Sequence, residues 1–198
     1  HLSIRRQRQM CIRDSKPPIL FLMGDVSALS AMLLYGIGPD EVFFNIKPDA
    51  RKMLESFYEI EEAYTMTRMR ITGGIFKPIE NTADPPTPIV TLGKEHIADI
   101  IKLQEDASQA DGRDTRDVAF SPEMIEDGYY RGIYQEDQVI AVAGTHIVAR
   151  QAGLAAVGNV VVHPEHRQKG LGSLVSQAVT QALIDDKLES VSYTHLTL

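Results

Sequence analysis

The reactive and ligand-binding side chains of this sequence concentrate in one stretch, Asn159-Val160-Val161-Val162-His163-Pro164-Glu165-His166-Arg167-Gln168-Lys169-Gly170-Leu171-Gly172. An apolar strand ends at Pro164, the chain turns through a basic loop, and a helix is entered through Gly170 and Gly172. A strand, a glycine-bearing turn and a helix N-terminus together leave several backbone N–H groups unpaired and pointing one way, which is a site for phosphate or pyrophosphate. The glycines allow a ligand to approach the backbone with no Cβ in the way. Arg167 and Lys169 add positive charge in an acidic chain, which favours a small anionic ligand. The same glycine pair is also compatible with plain helix–strand packing.

Three further groups are chemically relevant. His146 lies on the strand before this one and titrates near neutral pH, which makes it a candidate base; a lone strand histidine is also a common structural residue. Asn159 cannot take up a proton at neutral pH, so it would orient an amine or a water, or simply be satisfied within the sheet. His163 and His166 flank the loop, but no further ligand has suitable spacing, so no metal is expected.

Composition limits the alternatives. The chain has 198 residues, 43% hydrophobic and 24% charged, which is ordinary globular material and not a disordered or collagen-like sequence. A net charge of −7 argues against nucleic acid as a partner, because phosphate neutralisation needs a basic face. No apolar run reaches the roughly 18 residues of a membrane span. The single cysteine, Cys11, excludes a disulfide framework, and with no signal peptide visible a reduced cytosol is the expected location.

The elements that must position the site fall into two modules. In the first, residues 16–80, Pro18 to Met23 reads as a buried strand and Asp25 caps a helix carrying Leu29, Met32 and Leu33. Val42 to Ile46 is a second strand, Pro48 opens a second helix, and Tyr64 to Ile71 alternates like a third strand. This is a small βαβαβ unit without a catalytic constellation. Residues 81–87, rich in proline, form a linker. In the second module, residues 88–190, Ile89 to Leu92 is a strand and Lys94 to Gln104 a helix. A polar loop follows, and Ser121-Pro122 opens a short helix. Tyr129 to Tyr134, Val139 to Val148 and Leu154 to Val162 make an antiparallel meander, and a last helix begins near Lys169.

Arg167-Gln168-Lys169-Gly170-Leu171-Gly172 resembles the Arg/Gln-x-x-Gly-x-Gly/Ala signature of the GNAT superfamily of acyl-CoA-dependent N-acyltransferases. It follows a strand ending in Val-x-Pro-x-x-Arg, Val162 to Arg167, as in that family. The resemblance covers about residues 88–189, and the first half is loosely similar to the degenerate N-terminal half of extended members. It implies an α/β fold with a mixed sheet, and acetyl-CoA as cosubstrate with its pyrophosphate on the amides of Gln168 to Gly172. It also implies a pantetheine arm paired like a strand with Val160, Val161 and Val162, and direct attack of a small-molecule or peptide amine on the thioester. An extended arm bearing amides is well gripped by open strand backbone. Members often carry a carboxylate base on the fourth strand; here Asn159 is the polar residue there, leaving His146 as the alternative base.

Both ends of the chain look foreign. Met10-Cys11-Ile12-Arg13-Asp14-Ser15 can be written ATG TGT ATA AGA GAC AGC, and the reverse complement of its first 17 bases, CTGTCTCTTATACACAT, reads in one frame as the end of a Ser190 codon followed by Val191-Ser192-Tyr193-Thr194-His195. Two unrelated termini should not encode inverted copies of one DNA string, which resembles the transposase end of sequencing adapters. Residues 1–15 and 191–198 are therefore expected to be adapter translation. Arg5, Arg6, Arg8 and Arg13 leave with only Asp14, so the remaining chain is more acidic still. The expectation is a GNAT fold lacking its last strands, its helix and the Tyr general acid, and so a fragment that is inactive and holds CoA poorly. The alternative function is a non-catalytic CoA-binding sensor. Acceptor selection would fall to Asp106 to Phe120 and the missing part.

Overall fold

The computed structural model describes residues 2–5, 19–22, 24–35, 39–80, 87–112 and 120–195. The chain divides into two compact units, residues 1–67 with 195–198, and residues 68–194.

The first unit holds a four-stranded sheet built from β1 (Leu2–Arg5), β2 (Ile19–Phe21), β3 (Glu41–Asn45) and β4 (Glu59–Ala63), in the order β2-β3-β1-β4. Its helices are α1 (Val26–Leu34) and the single turn α2 (Arg51–Leu54). Alternation in β3 sends Val42 and Phe44 into the core with Leu33, Leu54 and Tyr58, and the Phe44 and Tyr58 rings meet edge to face at 5.2 Å. Asp25 starts α1 by accepting the Ser27 N–H at 2.9 Å, as its position before the apolar repeat predicts. Two features differ from the sequence reading. The strand that closes this sheet is Glu59–Ala63, while the alternating run ending at Ile71 belongs to the other sheet. Period-two patterning identifies a strand but not its partner. Leu2–Arg5, in the segment set aside as adapter, pairs antiparallel with both β3 and β4. Ladder bonds are made by backbone, so an open strand edge accepts any extended segment.

The second unit is a six-stranded mixed sheet in the order β5-β10-β9-β8-β7-β6. Its strands are β5 (Met66–Ile71), β6 (Val90–Thr91), β7 (Arg131–Gln135), β8 (Gln138–Ala149), β9 (Leu154–Val162) and β10 (Glu189–His195). The run from β6 to β9 is antiparallel, as the meander predicts, and β10 is parallel to β9. One face packs under α3 (Ile97–Ala110) with Leu92, Ile100, Leu103, Tyr130 and Val142. The other packs under α4 (Leu171–Asp185) with Ile133, Ala141, Ala143, Val157, Val175, Val179 and Leu183. The α/β fold class with a mixed sheet is therefore observed.

α4 ends in a way that aims the chain at the sheet. Lys187 takes φ 61°, the Leu188 N–H donates to Leu183 O at 2.8 Å and the Lys187 N–H to Ile184 O at 2.9 Å. This double bond pattern satisfies the last carbonyls and drops Leu188 into the core. β10 follows directly. The strand expected to be missing is thus formed, and Val191, assigned on sequence grounds to adapter, is buried in it. Of the expected linker, residues 81–86 lie outside the described residues, as do residues 113–119 of the expected acceptor loop. The beginning of that loop, Asp106 to Ala110, is instead the last turn of α3.

Candidate functional site

β9 is paired differently along its length. Glu189, Ser190 and Val191 of β10 lie opposite Leu154, Ala155 and Ala156, and the parallel ladder stops there. From Val157 to Val162 β9 keeps β8 on one side and has no ladder partner on the other among the described residues. The result is an open strand edge on β9 beyond Ala156.

Two compensating bulges shape that edge. Val142 pairs with Val161 and Gly144 with Gly158, so Asn159 and Val160 together oppose Ala143. Thr145 pairs with Val157 and Ile147 with Ala156, so His146 is the extra residue on β8. Beyond both bulges the register returns to its original value. Bulges bend and twist a strand, which accounts for β9 leaving β10 where it does. Asn159 takes φ 51°, a left-handed conformation that asparagine tolerates better than other non-glycine residues.

Three polar side chains lie at or beside the bulges. Asn159 Nδ2 donates to Tyr130 Oη at 2.7 Å and lies 3.5 Å from Met124 Sδ. Tyr130 is fully buried, its hydroxyl donating to Thr145 O at 3.3 Å and its ring meeting Phe120 edge to face at 5.6 Å. Burial pushes its phenol up to about 12, the Asn159 hydrogen bond opposing this only in part, so Tyr130 is neutral across the physiological range. The facing glycines make room for this arrangement. A Cβ on Gly144 would collide with the Tyr130 ring, and one on Gly158 with the His146 imidazole. His146 is pushed below its ordinary pKa by burial, and its Nδ1 is enclosed with no partner among the described residues. It is a neutral imidazole at pH 7, the form that accepts a proton.

The loop expected to bind an anion follows the open edge in the chain. A single 3-10 turn, Pro164–His166, leads to Gln168 at φ 62° and Gly170 at φ 77°. Gly170 caps α4 without a side-chain acceptor, so the first amides, from Leu171 to Ser173, carry the positive end of the helix dipole uncapped. The two glycines have different reasons to be there. Gly170 is required by its backbone conformation, and a Cβ would meet nothing. A Cβ on Gly172 would lie 3.4 Å from Val162 Cγ2 and 3.6 Å from Val160 Cγ1, ordinary contacts, so packing alone does not demand glycine. Val160 is 46% exposed, while Val161 packs under the α3 side and Val162 under the α4 side.

Arg167, expected among the anion-binding residues, is ion-paired within the chain. Its guanidinium is held by Asp111 at the end of α3, Nη1 to Oδ1 at 2.6 Å and Nη2 to Oδ2 at 3.2 Å, and its Nε donates to Val162 O at 3.3 Å. Its charge is already compensated, and its work is to fasten the loop to α3 and to the end of β9. Lys169 Nζ reaches a backbone carbonyl, Glu165 O, at 3.3 Å, and carries the loop's positive charge. His163 and His166 face each other with ring centroids 5.5 Å apart, and Glu165 joins them, a third ligand type that residue spacing alone did not bring to notice. Tyr130 and Met124 were not anticipated. Gly144 and Gly158, isolated glycines inside apolar strands, were the available signal for a close approach.

The model of the acetyltransferase (GNAT) family matches residues 97–197, just over half of the chain. This chain belongs to that family. Among solved structures it is similar to a GNAT acetyltransferase from Colwellia psychrerythraea (TM-score 0.52, 12% identity, covering 85% of this chain and 62% of that one). A GCN5-related N-acetyltransferase from Kribbella flavida gives TM-score 0.50 at 18% identity, over 74% of this chain and 54% of that one. An acetyltransferase of the family from Novosphingobium aromaticivorans gives 0.49 at 18%, over 67% of this chain and 52% of that one. The chain thus spans about half to three-fifths of the length of these relatives. No curated protein matches it. Among the described residues no helix is long and apolar enough to cross a membrane.

Proposed function

We propose that the second unit is an N-acyltransferase site that moves an acetyl or other short acyl group from acyl-CoA to a primary amine by direct attack. The observation that carries this reading is the unpaired edge of β9 running into the uncapped amides of α4. An extended arm with amides of its own can pair along Val160 to Val162, and a pyrophosphate at its end meets Gln168 to Gly172 and Lys169. The space over Gly172 suits close approach of such a group.

The cosubstrate supplies the thioester, whose carbon–sulfur bond breaks as the carbon–nitrogen bond to the amine forms. The attacking amine must be neutral and must lose a proton. His146, neutral and desolvated, takes that proton, directly or through a water. Asn159, anchored by the phenol of Tyr130, orients the amine or that water; its amide cannot serve as the base. A thiol with a pKa near ~8.5 is a fair leaving group and needs only a weak proton donor.

The test is calorimetric titration with acetyl-CoA, followed by thiol release with a panel of primary amines. Micromolar binding with amine-dependent thiol release is expected. Absence of binding removes the reading, and binding without release from any amine supports a sensor in its place.

A further inference from the structure

We propose that His163, Glu165 and His166 form a site for a divalent transition-metal cation of the zinc class, on the outer rim of the loop between β9 and α4. Their ligand atoms lie within 4.8 Å of one another, close enough for small side-chain rotations to bring them around one ion at the roughly 2.1 Å of zinc–nitrogen and zinc–oxygen bonds. Local geometry explains the convergence. Pro164 starts a single 3-10 turn that ends at His166, with His163 as its N-cap. In this helix type residues three apart eclipse, so two histidines at that interval stack on one side of the turn. Their ring centroids are 5.5 Å apart.

The donor chemistry selects the ion. Two imidazoles and one carboxylate suit zinc, cobalt or nickel and leave a fourth position open, whereas magnesium and calcium prefer an all-oxygen shell of six or more ligands. A second observation points the same way. His163 Nδ1 is closed off from solvent and has no hydrogen-bond partner among the described residues, so a polar atom at this turn is still unsatisfied. The backbone around it is fixed, the His163 N–H donating to Ile140 O at 2.8 Å and the His166 N–H to His163 O at 2.8 Å. His166 also borders a cavity of about 300 Å³ whose other walls include Glu136 and Asp137, carboxylates that draw cations to this rim. Arg167 opposes this little, since Asp111 already compensates its charge.

The site does not depend on the acyl-transfer reading, and its test does not use activity. Untagged full-length chain, stripped with chelator, is titrated with Zn²⁺ by calorimetry and with Co²⁺ by visible absorption. One ion per chain is expected, with the intense ligand-field bands of four-coordinate Co²⁺. His166→Ala and Glu165→Gln alter side chains outside the core, and each should weaken binding at least about tenfold while leaving the far-ultraviolet dichroism unchanged. His96→Ala, which removes a histidine whose Nδ1 accepts the Gly93 N–H at 2.9 Å, should leave the metal affinity unaltered. Undetectable Zn²⁺ binding overturns the proposal, and so does binding that persists at full strength in both His166→Ala and Glu165→Gln.

Discussion

The two ends of β9 differ more than any two strands of the molecule need to. At Leu154 to Ala156 the strand is paired on both sides, and Ala155, which packs on the α4 side, and Ala156 are both buried. At Asn159 to Val162, five residues on, one side is open, Val160 is 46% exposed and the backbone is bulged. Both ends have small apolar side chains, so hydrophobicity does not separate them. The difference lies in where the backbone hydrogen bonds go: the closed end spends them on both neighbouring strands, and the open end leaves one side of β9 without a ladder partner among the described residues, where the proposed acyl-CoA arm would pair.

A change at the closed end should therefore cost stability first. Ala155→Asp places an unpaired carboxylate where exposure is 0%, and loss of about 3 kcal/mol or more, with or without CoA, is expected by urea denaturation. Retention of the wild-type midpoint would show that this end is looser than its pairing implies. Gly158→Ala tests the boundary between the two ends, because its Cβ collides with the His146 ring. A loss of about 1–3 kcal/mol is expected, and adding His146→Ala should restore much of it, a coupling that a double-mutant cycle measures.

At the open end the two readouts should separate. Gly172→Ala finds only ordinary contacts and gains helix propensity, so stability should rise by up to about 1 kcal/mol while CoA affinity falls. Parallel loss of both would return Gly172 to a packing role. The smallest effect is that of pH. With the His146 pKa held below 6.5 by burial, the pH profile of transfer should carry a limb below 6.5, separate from the rise at high pH as the amine itself becomes neutral, and His146→Ala should remove the lower limb alone. The same depression makes the folded state bind fewer protons than the unfolded chain. Its contribution to stability is complete above pH 6.5 and is lost as pH falls from there through the folded-state pKa.

Much of the second unit was legible in the sequence because its signals are local. The turn at Glu136-Asp137, the stop at Pro164 and the glycines at 170 and 172 each act within a few residues, and the meander and last helix follow from them. The partner of Arg167 was not legible for a related reason. Its charge is visible in the sequence, but Asp111, 56 positions away, decides whether that charge is free. His146 and Asn159 were recognised as polar residues on neighbouring strands, yet nothing in their spacing showed that each would sit in a bulge, or that a buried tyrosine would anchor one of them.

By itself, then, the amino-acid sequence determined the strand, turn and helix from Leu154 to Asp185, since periodicity, proline and glycine act over one or two turns of chain. Tertiary structure alone decided that β10 lies beside β9 for three residues and then parts from it. It also decided that Gly144 and Gly158 become the floor beneath Tyr130 and His146. Strand register and strand neighbours are chosen by contacts between distant residues, and backbone pairing does not discriminate among the side chains it joins.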